Sequence, residues 1–242
     1  VSDHPHDAHT PPASRFDLTF LATLLAVVLA SLVFLWLADG VAGGESWHTD
    51  RAILRALRQA DDPAQVIGPS WVAPCVRDLT SLGSGSVLTL VTLIVAGDLL
   101  LTGRRRAAGL TVASISLGAM LNPLLKLVFD RPRPVVVPHL VEATSSSFPS
   151  GHSMSSAIVY LTLGALVATQ SASRTRGLYA LGVASLLTAL VGASRVVLGV
   201  HYPSDVLAGW AAGLIWAIAS DAVTRRLQRS GAVESPPDDE GS

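Results

Sequence analysis

Three short polar stretches break an otherwise apolar sequence, and they hold the side chains best suited to chemistry. The run from Ser194 to Asp205, SRVVLGVHYPSD, sets Arg195, His201 and Asp205 at the junction of two strongly apolar segments. A second runs from Lys126 to Pro134, with Asp130, Arg131, Pro132 and Arg133 following the apolar residues after Lys126. The third, Pro149 to His152, reads Pro-Ser-Gly-His within SSSFPSGHSMSS. Charges placed beside lipid without a partner or a task are costly, so each stretch asks for an explanation.

The spacing of each stretch suggests a role. Asp205 lies four residues after His201, within the first turn that Pro203 can start. If that turn is tight, the carboxylate reaches the imidazole, fixes its tautomer and makes the opposite nitrogen more nucleophilic. Lys126 is the only lysine in the chain, a compact point charge where arginine is used everywhere else. The forked guanidinium of arginine suits phosphoryl oxygens, and the flanking prolines restrict how Arg131 and Arg133 can point. Gly151 permits close backbone approach, while Ser150 and His152 fall where a helix begins, so free N–H groups there suit an anion. Taken singly, these are also the marks of helix caps, an interfacial histidine or a structural histidine–aspartate pair. Two histidines converging with three or four cations read together as one anion-handling site.

Other chemistries lack their residues. The outer polar stretches carry no cluster of carboxylates and no His-Glu-x-x-His pattern, so neither a metal nor any other cofactor is expected. A glycine-rich phosphate loop and a pair of carboxylates for glycoside hydrolysis are likewise missing. Cys75 is the only cysteine, which rules out an intrachain disulfide.

The elements that must position these residues are membrane helices. Half of the 242 residues are apolar and only 14% are charged, well below the usual quarter of a soluble domain, and the mean hydropathy is +0.48. Acids and bases nearly cancel at a formal net charge of -1, so no nucleic-acid partner is indicated. Six spans are expected: 18–38, 86–102, 107–129, 154–169, 177–198 and 203–223. The first is too long for the core of a secretory signal and reads as a retained helix. Asn122 and Pro123 should bend or loosen the third, and the fourth should start near Ser150. Asp98 reads as a snorkelling partner of the arginines after the second span.

The expected class is therefore all-α, a polytopic membrane bundle of six helices. Its domain runs from 18 to 224, between a loose N-terminal tail (1–17), whose histidines read as solvated, and a loose C-terminal tail (225–242). In the long connection from 39 to 84, Asp50 to Ala60 suits a short interfacial helix with Ile53, Leu54 and Leu57 on one side and Arg51, Arg55 and Arg58 largely on another. Trp47 and Trp71 read either as interfacial anchors or as parts of a small folded cap. The short segments bearing Arg104 to Arg106, Arg174 and Arg176, and Arg225, Arg226 and Arg229 mark the cytoplasmic side. Both termini then fall inside, and the three polar stretches share the non-cytoplasmic edge of a cell membrane.

The three stretches resemble the signature of the type 2 phosphatidic acid phosphatase superfamily, integral-membrane lipid phosphatases related to vanadium haloperoxidases and bacterial acid phosphatases. The likeness covers Lys126, six residues, Arg133-Pro134; then Pro149-Ser150-Gly151-His152; then Ser194-Arg195, five residues, His201, three residues, Asp205. All parts are complete and in order, and the six-helix layout extends the likeness to 18–224. The resemblance implies that His201 is the nucleophile and forms a phosphohistidine, with Asp205 orienting it. It implies that His152 protonates the departing oxygen and then activates water. Lys126, Arg133, Arg195, the Ser150 hydroxyl and the Gly151 N–H would hold the nonbridging oxygens, with no metal. The partners it implies are the bilayer and a membrane lipid phosphate or diphosphate, undecaprenyl diphosphate first and a phosphatidic acid type of substrate close behind.

Two other classes stay open on the sequence. A transporter would carry its ionisable residues near mid-membrane on broken or repeated helices, whereas these lie at one edge. A noncatalytic lipid-phosphate-binding protein would need the cations but not the pair of histidines.

Overall fold

A computed structural model describes residues 15–43, 48–171 and 173–234. Among them the chain forms eight helices: α1 (Arg15–Ala42), α2 (His48–Ala56), α3 (Val72–Ser81), α4 (Gly85–Leu101), α5 (Arg105–Phe129), α6 (Gly151–Gln170), α7 (Arg174–Val197) and α8 (Pro203–Arg229). Five of these are long and apolar enough to cross a membrane, and a sixth span results if α3 and α4, bent by 50° at their junction, act as one.

That bent pair is the main departure from the expected spans. Alone, α4 has 17 residues and at about 1.5 Å per residue falls short of the roughly 30 Å hydrocarbon layer. The polar connection is correspondingly shorter, because Val72–Ser81 is helical rather than loop. The break at Leu82 to Ser84 is well satisfied: Ser84 Oγ accepts from the Val87 N–H (3.4 Å), and Tyr160 O–H donates to the Leu82 carbonyl (2.7 Å). Tyr160 reaches it from a π-helical turn, Ala157–Leu161, within α6, and such turns re-aim side chains inside a helix. Pro123 leaves α5 helical throughout.

The hub is α6. Of its apolar span 56% is buried, against 11% for α1 and for α5, so its neighbours wrap around it while α1 and α5 turn broad apolar faces outward to lipid. Close approach explains how it fits. A Cβ on Gly213 of α8 would stand 2.4 Å from the Ala157 Cβ, and one on Gly164 would stand 2.7 Å from the Ala184 Cβ of α7. Small residues thus let three backbones meet where there is no hydrophobic force between helices in lipid. Polar ties add to the packing: Trp210 Nε1 donates to the Thr188 carbonyl and Trp216 Nε1 to that of Ser114, both at 3.1 Å. On the other flank α1 runs along α8, with Leu37, Ala38, Phe148 and Ala208 in one cluster.

The short helix of the long connection is present but turns a different face inward than its pattern suggests. Leu54 is buried as expected, yet so are Asp50 and Arg58. Arg58 lies just past the end of α2, so helical periodicity no longer governs it. Trp71 is exposed, as an interfacial anchor requires, while Trp47, the N-terminal tail and residues beyond 234 lie outside the described residues. At its C-terminal end α8 continues to Arg229, several residues past the expected end of the domain. Glu234 then accepts from the N–H groups of Arg106 and Ala107 (3.1 and 3.0 Å), satisfying free donors at the start of α5.

Candidate active site

One end of the bundle gathers the last turn of α5, the loop from 130 to 149, the first turn of α6 and the turn joining α7 to α8. The last of these has a definite design. After α7, Gly199 takes a φ of +76°, the Val200 N–H bonds the Arg195 carbonyl (3.3 Å) and the Gly199 N–H that of Val196 (2.9 Å). This paired pattern closes a helix with a left-handed residue. A Cβ at Gly199 would also stand 2.6 Å from Arg58 Nη2, so glycine is required twice over. Pro203 then opens α8, and Asp205, third in the helix, accepts from the Tyr202 N–H through Oδ2 (2.9 Å).

His201 is held between these two helix ends and is 2% exposed. Its Nε2 lies 3.3 Å from Arg133 Nη1. A guanidinium only donates, so Nε2 carries the lone pair and Nδ1 the proton. Nδ1 faces Asp205 Oδ2 at 3.4 Å, a close approach without hydrogen-bond geometry, since Nδ1 has no hydrogen-bond partner. Burial pushes the imidazole down to about 4 from its usual 6.5, with Asp205 pulling upward and Arg133 and Arg195 adding to the depression. The ring is therefore neutral at physiological pH.

Three cations gather at this end of the bundle, Arg133 nearest the ring. Arg133 donates from Nη1 to the Val200 carbonyl (2.8 Å) and from Nε to the Ser145 carbonyl (2.7 Å). Lys126 Nζ donates to Ser145 Oγ (2.8 Å) and to the Ser146 carbonyl (2.7 Å). Arg133 Nη2 also reaches Ser145 Oγ (3.3 Å), so one serine receives both cations. Arg195 is buried and donates to Thr80 Oγ1 of α3 (3.0 Å), while its Nε has no partner. His152 lies within electrostatic reach of Arg195, His201, Lys126 and Arg133. Its Cδ2 is 3.2 Å from where a Cβ on Gly83 would stand, so the break between α3 and α4 backs it directly.

Ser150 is placed differently from the expectation of a free helix start. Its N–H is bound to the Asp205 carbonyl (3.0 Å), its Oγ accepts from Ser153 (2.9 Å), and it is fully buried. Its own hydroxyl hydrogen is what remains to offer an anion. Gly151 lies against Asn122, whose Oδ1 would be 3.1 Å from a Cβ there. Asp98 sits exposed at the opposite end of α4.

Sequence reasoning passed over several residues of the site. The sequence pairs Arg131 with Arg133 as a fork suited to phosphoryl oxygens, yet Arg131 donates from Nη1 to Asp205 Oδ1 (2.5 Å) and to Ser204 Oγ (2.8 Å). Its Nη2 meets Asp50 Oδ2 at 3.1 Å. Thr80 and Asp50 lie outside the three polar stretches, while Ser204 stands inside one at a position the signature leaves open and Ser145 four residues before another. Among the described residues no group of three or more His, Cys, Asp or Glu side chains stands where it could hold a metal ion.

A buried histidine beside a carboxylate, with buried cations close by at one end of an apolar bundle, is suited to meeting an anionic group. Comparison with known proteins gives the family. Residues 107–229 match the PAP2 superfamily. The chain is 32% identical over 187 residues to phosphatidylglycerophosphatase B of Bacillus subtilis, covering 76% of this chain and 87% of that protein. An undecaprenyl-diphosphatase of Sulfolobus acidocaldarius is 34% identical over 125 residues, 49% of this chain and 56% of that one. The crystal structure of a transmembrane PAP2-type phosphatidylglycerolphosphate phosphatase from Bacillus subtilis superposes with a TM-score of 0.73 at 29% identity, over 84% of this chain and 98% of that one. The chain belongs to the PAP2 superfamily and is a membrane-associated lipid phosphatase.

Proposed function

We propose that the chain hydrolyses the phosphate monoester of a membrane glycerophospholipid, of the phosphatidylglycerol phosphate or phosphatidic acid type, through a phosphohistidine on His201. The observation that carries this is the tautomer of His201. Its lone pair sits at Nε2, 3.3 Å from Arg133 Nη1 and within electrostatic reach of Arg195, with Asp205 behind Nδ1. Nε2 attacks phosphorus, and the bond from phosphorus to the lipid oxygen breaks. His152 gives that oxygen its proton, then takes one from the water that splits the phosphohistidine, releasing phosphate and restoring His201. Lys126, Arg133, Arg195, the Ser150 hydroxyl and the Gly151 N–H hold the nonbridging oxygens as charge moves in line, and no metal takes part.

The arginine clusters at 104–106, 174–176 and 225–229 lie at the ends of helices away from the site. By the positive-inside bias they support a reading with both termini in the cytoplasm and the site on the outer face, where a lipid head group would enter between apolar helices. The monoester is preferred because the likeness to the Bacillus phosphatidylglycerophosphatase takes in most of both chains. The likeness to the Sulfolobus enzyme supports undecaprenyl diphosphate as a second reading. For a diphosphate the leaving group is already a stabilised phosphate, so loss of His152 should cost less than with a monoester.

Phosphate release by the purified full chain in detergent, from a panel of lipid phosphates and diphosphates with and without chelator, tests this reading. Turnover should survive chelation, be highest on a glycerophospholipid monoester and vanish in His201→Ala. Near-normal release by that variant, or a requirement for one divalent ion, would contradict it.

A further inference from the structure

Asp205 and two charged groups behind it, on the side away from His201, are buried in one chain of contacts. Arg131 bridges Asp205 Oδ1 (2.5 Å) and Asp50 Oδ2 (3.1 Å). Ser204 is enclosed by the same groups: its N–H donates to Asp50 Oδ1 (3.0 Å), its hydroxyl donates to Asp50 Oδ2 and it accepts from Arg131 (2.8 Å). The Arg131 guanidinium also lies over the Tyr202 ring, 4.3 Å from its centroid. Asp50, Arg131 and Asp205 are each less than a tenth exposed.

Asp50 belongs to α2, in the long connection, and its carboxylate takes the Ser204 N–H at the start of α8, where negative charge is favoured. Eight residues on, Arg58 donates to the Val197 carbonyl at the end of α7 (2.7 Å) and to the Pro138 carbonyl (3.4 Å), where positive charge is favoured. Thus α2 and the residues after it grip both ends of the turn that carries His201.

We propose that Asp50 and Arg131 are positioning residues for His201, acting through Asp205: α2 is a clamp whose buried carboxylate shares Arg131 with Asp205 and so sets the place and effective charge of that carboxylate. This rests on the reading of His201 as nucleophile, but its first consequence concerns the free protein. The groups facing His201 are Asp205 from α8, Arg133 from the loop, Arg195 from α7 and His152 from α6. Arg131 tempers the first of them. Without Arg131, Asp205 bears its full charge against the imidazole, and the ring should protonate at higher pH. Without the charge of Asp50, Arg131 leans wholly on Asp205, and the ring should protonate at lower pH.

The test is to titrate the His201 imidazole by NMR in detergent-solubilised, histidine-labelled full chain, its signal assigned by loss in His201→Gln. Arg131→Gln should raise the midpoint by about one pH unit. Asp50→Asn should lower it by a smaller amount, and on dioctanoyl phosphatidic acid this variant should lose kcat about tenfold with KM little changed. Shifts of the same sign in both variants, or none, would overturn the proposal, as would a loss in Asp50→Asn confined to KM. Should Arg131→Gln alone fail to fold, the double variant with Asp50→Asn, which leaves one buried carboxylate, carries the same test and should titrate above the parent. The titration needs no substrate, so failure of the phosphohistidine reading would show in His201→Ala turnover and failure of the clamp in the midpoints.

Discussion

Gly209 marks the place where α8 passes the first turn of α6, and that contact sets how far apart His152 and His201 stand. A Cβ at Gly209 would lie 2.8 Å from the Ser150 carbonyl oxygen, 3.0 Å from the Ser153 Cβ and 3.1 Å from the Met154 nitrogen, against 3.4 Å for ordinary contact. Two of these neighbours are backbone atoms and cannot swing aside. In Gly209→Ala the start of α6 must therefore retreat by about 0.5 Å, stretching the bond from the Ser150 N–H to the Asp205 carbonyl. Overpacking of this kind costs about 1–3 kcal/mol. Since a misplacement of about 1 Å can cost a hundredfold in rate, half of that should cost on the order of tenfold in kcat. Melting in detergent and phosphate release from dioctanoyl phosphatidic acid read the two effects, with Gly182→Ala as control, because a Cβ there meets nothing within 4 Å. A Gly209→Ala enzyme with unshifted melting and kcat within about twofold of the parent would refute the claim that this contact spaces the histidines.

Two further predictions come from the same geometry. His201 titrates near 4 because burial disfavours its charge, and attack needs the neutral ring. The acid limb of kcat/KM that belongs to His201 should thus lie well below pH 6, and a limb near 6.5 that disappears in His201 variants would contradict the buried, neutral ring. Arg195→Lys keeps a charge but loses the planar fork that holds Thr80 and, on the proposed reading, the anion, so kcat should fall by about a hundredfold or more, with melting largely kept, as measured by steady-state phosphate release.

What could be read in the sequence was local. The long apolar runs, the proline at the start of α8 and the four-residue spacing from His201 to Asp205 all act within one turn or one helix. The signature residues followed, because their order survives folding. The bend at Leu82 to Ser84 was not legible, since α3 is polar enough to pass for loop and its helix depends on packing against α7. Arg131 was visible two residues before Arg133, but its partner Asp50 lies 81 residues away, on a short helix whose charge pattern reads as a surface. Arg58 pointed inward for the same reason: it follows the end of α2, where helical periodicity stops being a guide. The Ser150 N–H read as a free donor at a helix start, and only the packing of α8 shows that the Asp205 carbonyl takes it.

The most direct measurement is to look for phosphate on His201. Full chain in detergent is mixed with lipid phosphate bearing labelled phosphorus and quenched in alkali, in which phosphohistidine survives. In His152→Ala given a lipid diphosphate labelled at its terminal phosphorus, whose leaving group needs no proton, the proposed base for the second step is missing, and label should accumulate on the peptide containing His201, be released by acid and be absent when His201 is also replaced. Label on another residue, or continued turnover with no labelled protein at any quench time, would contradict the account.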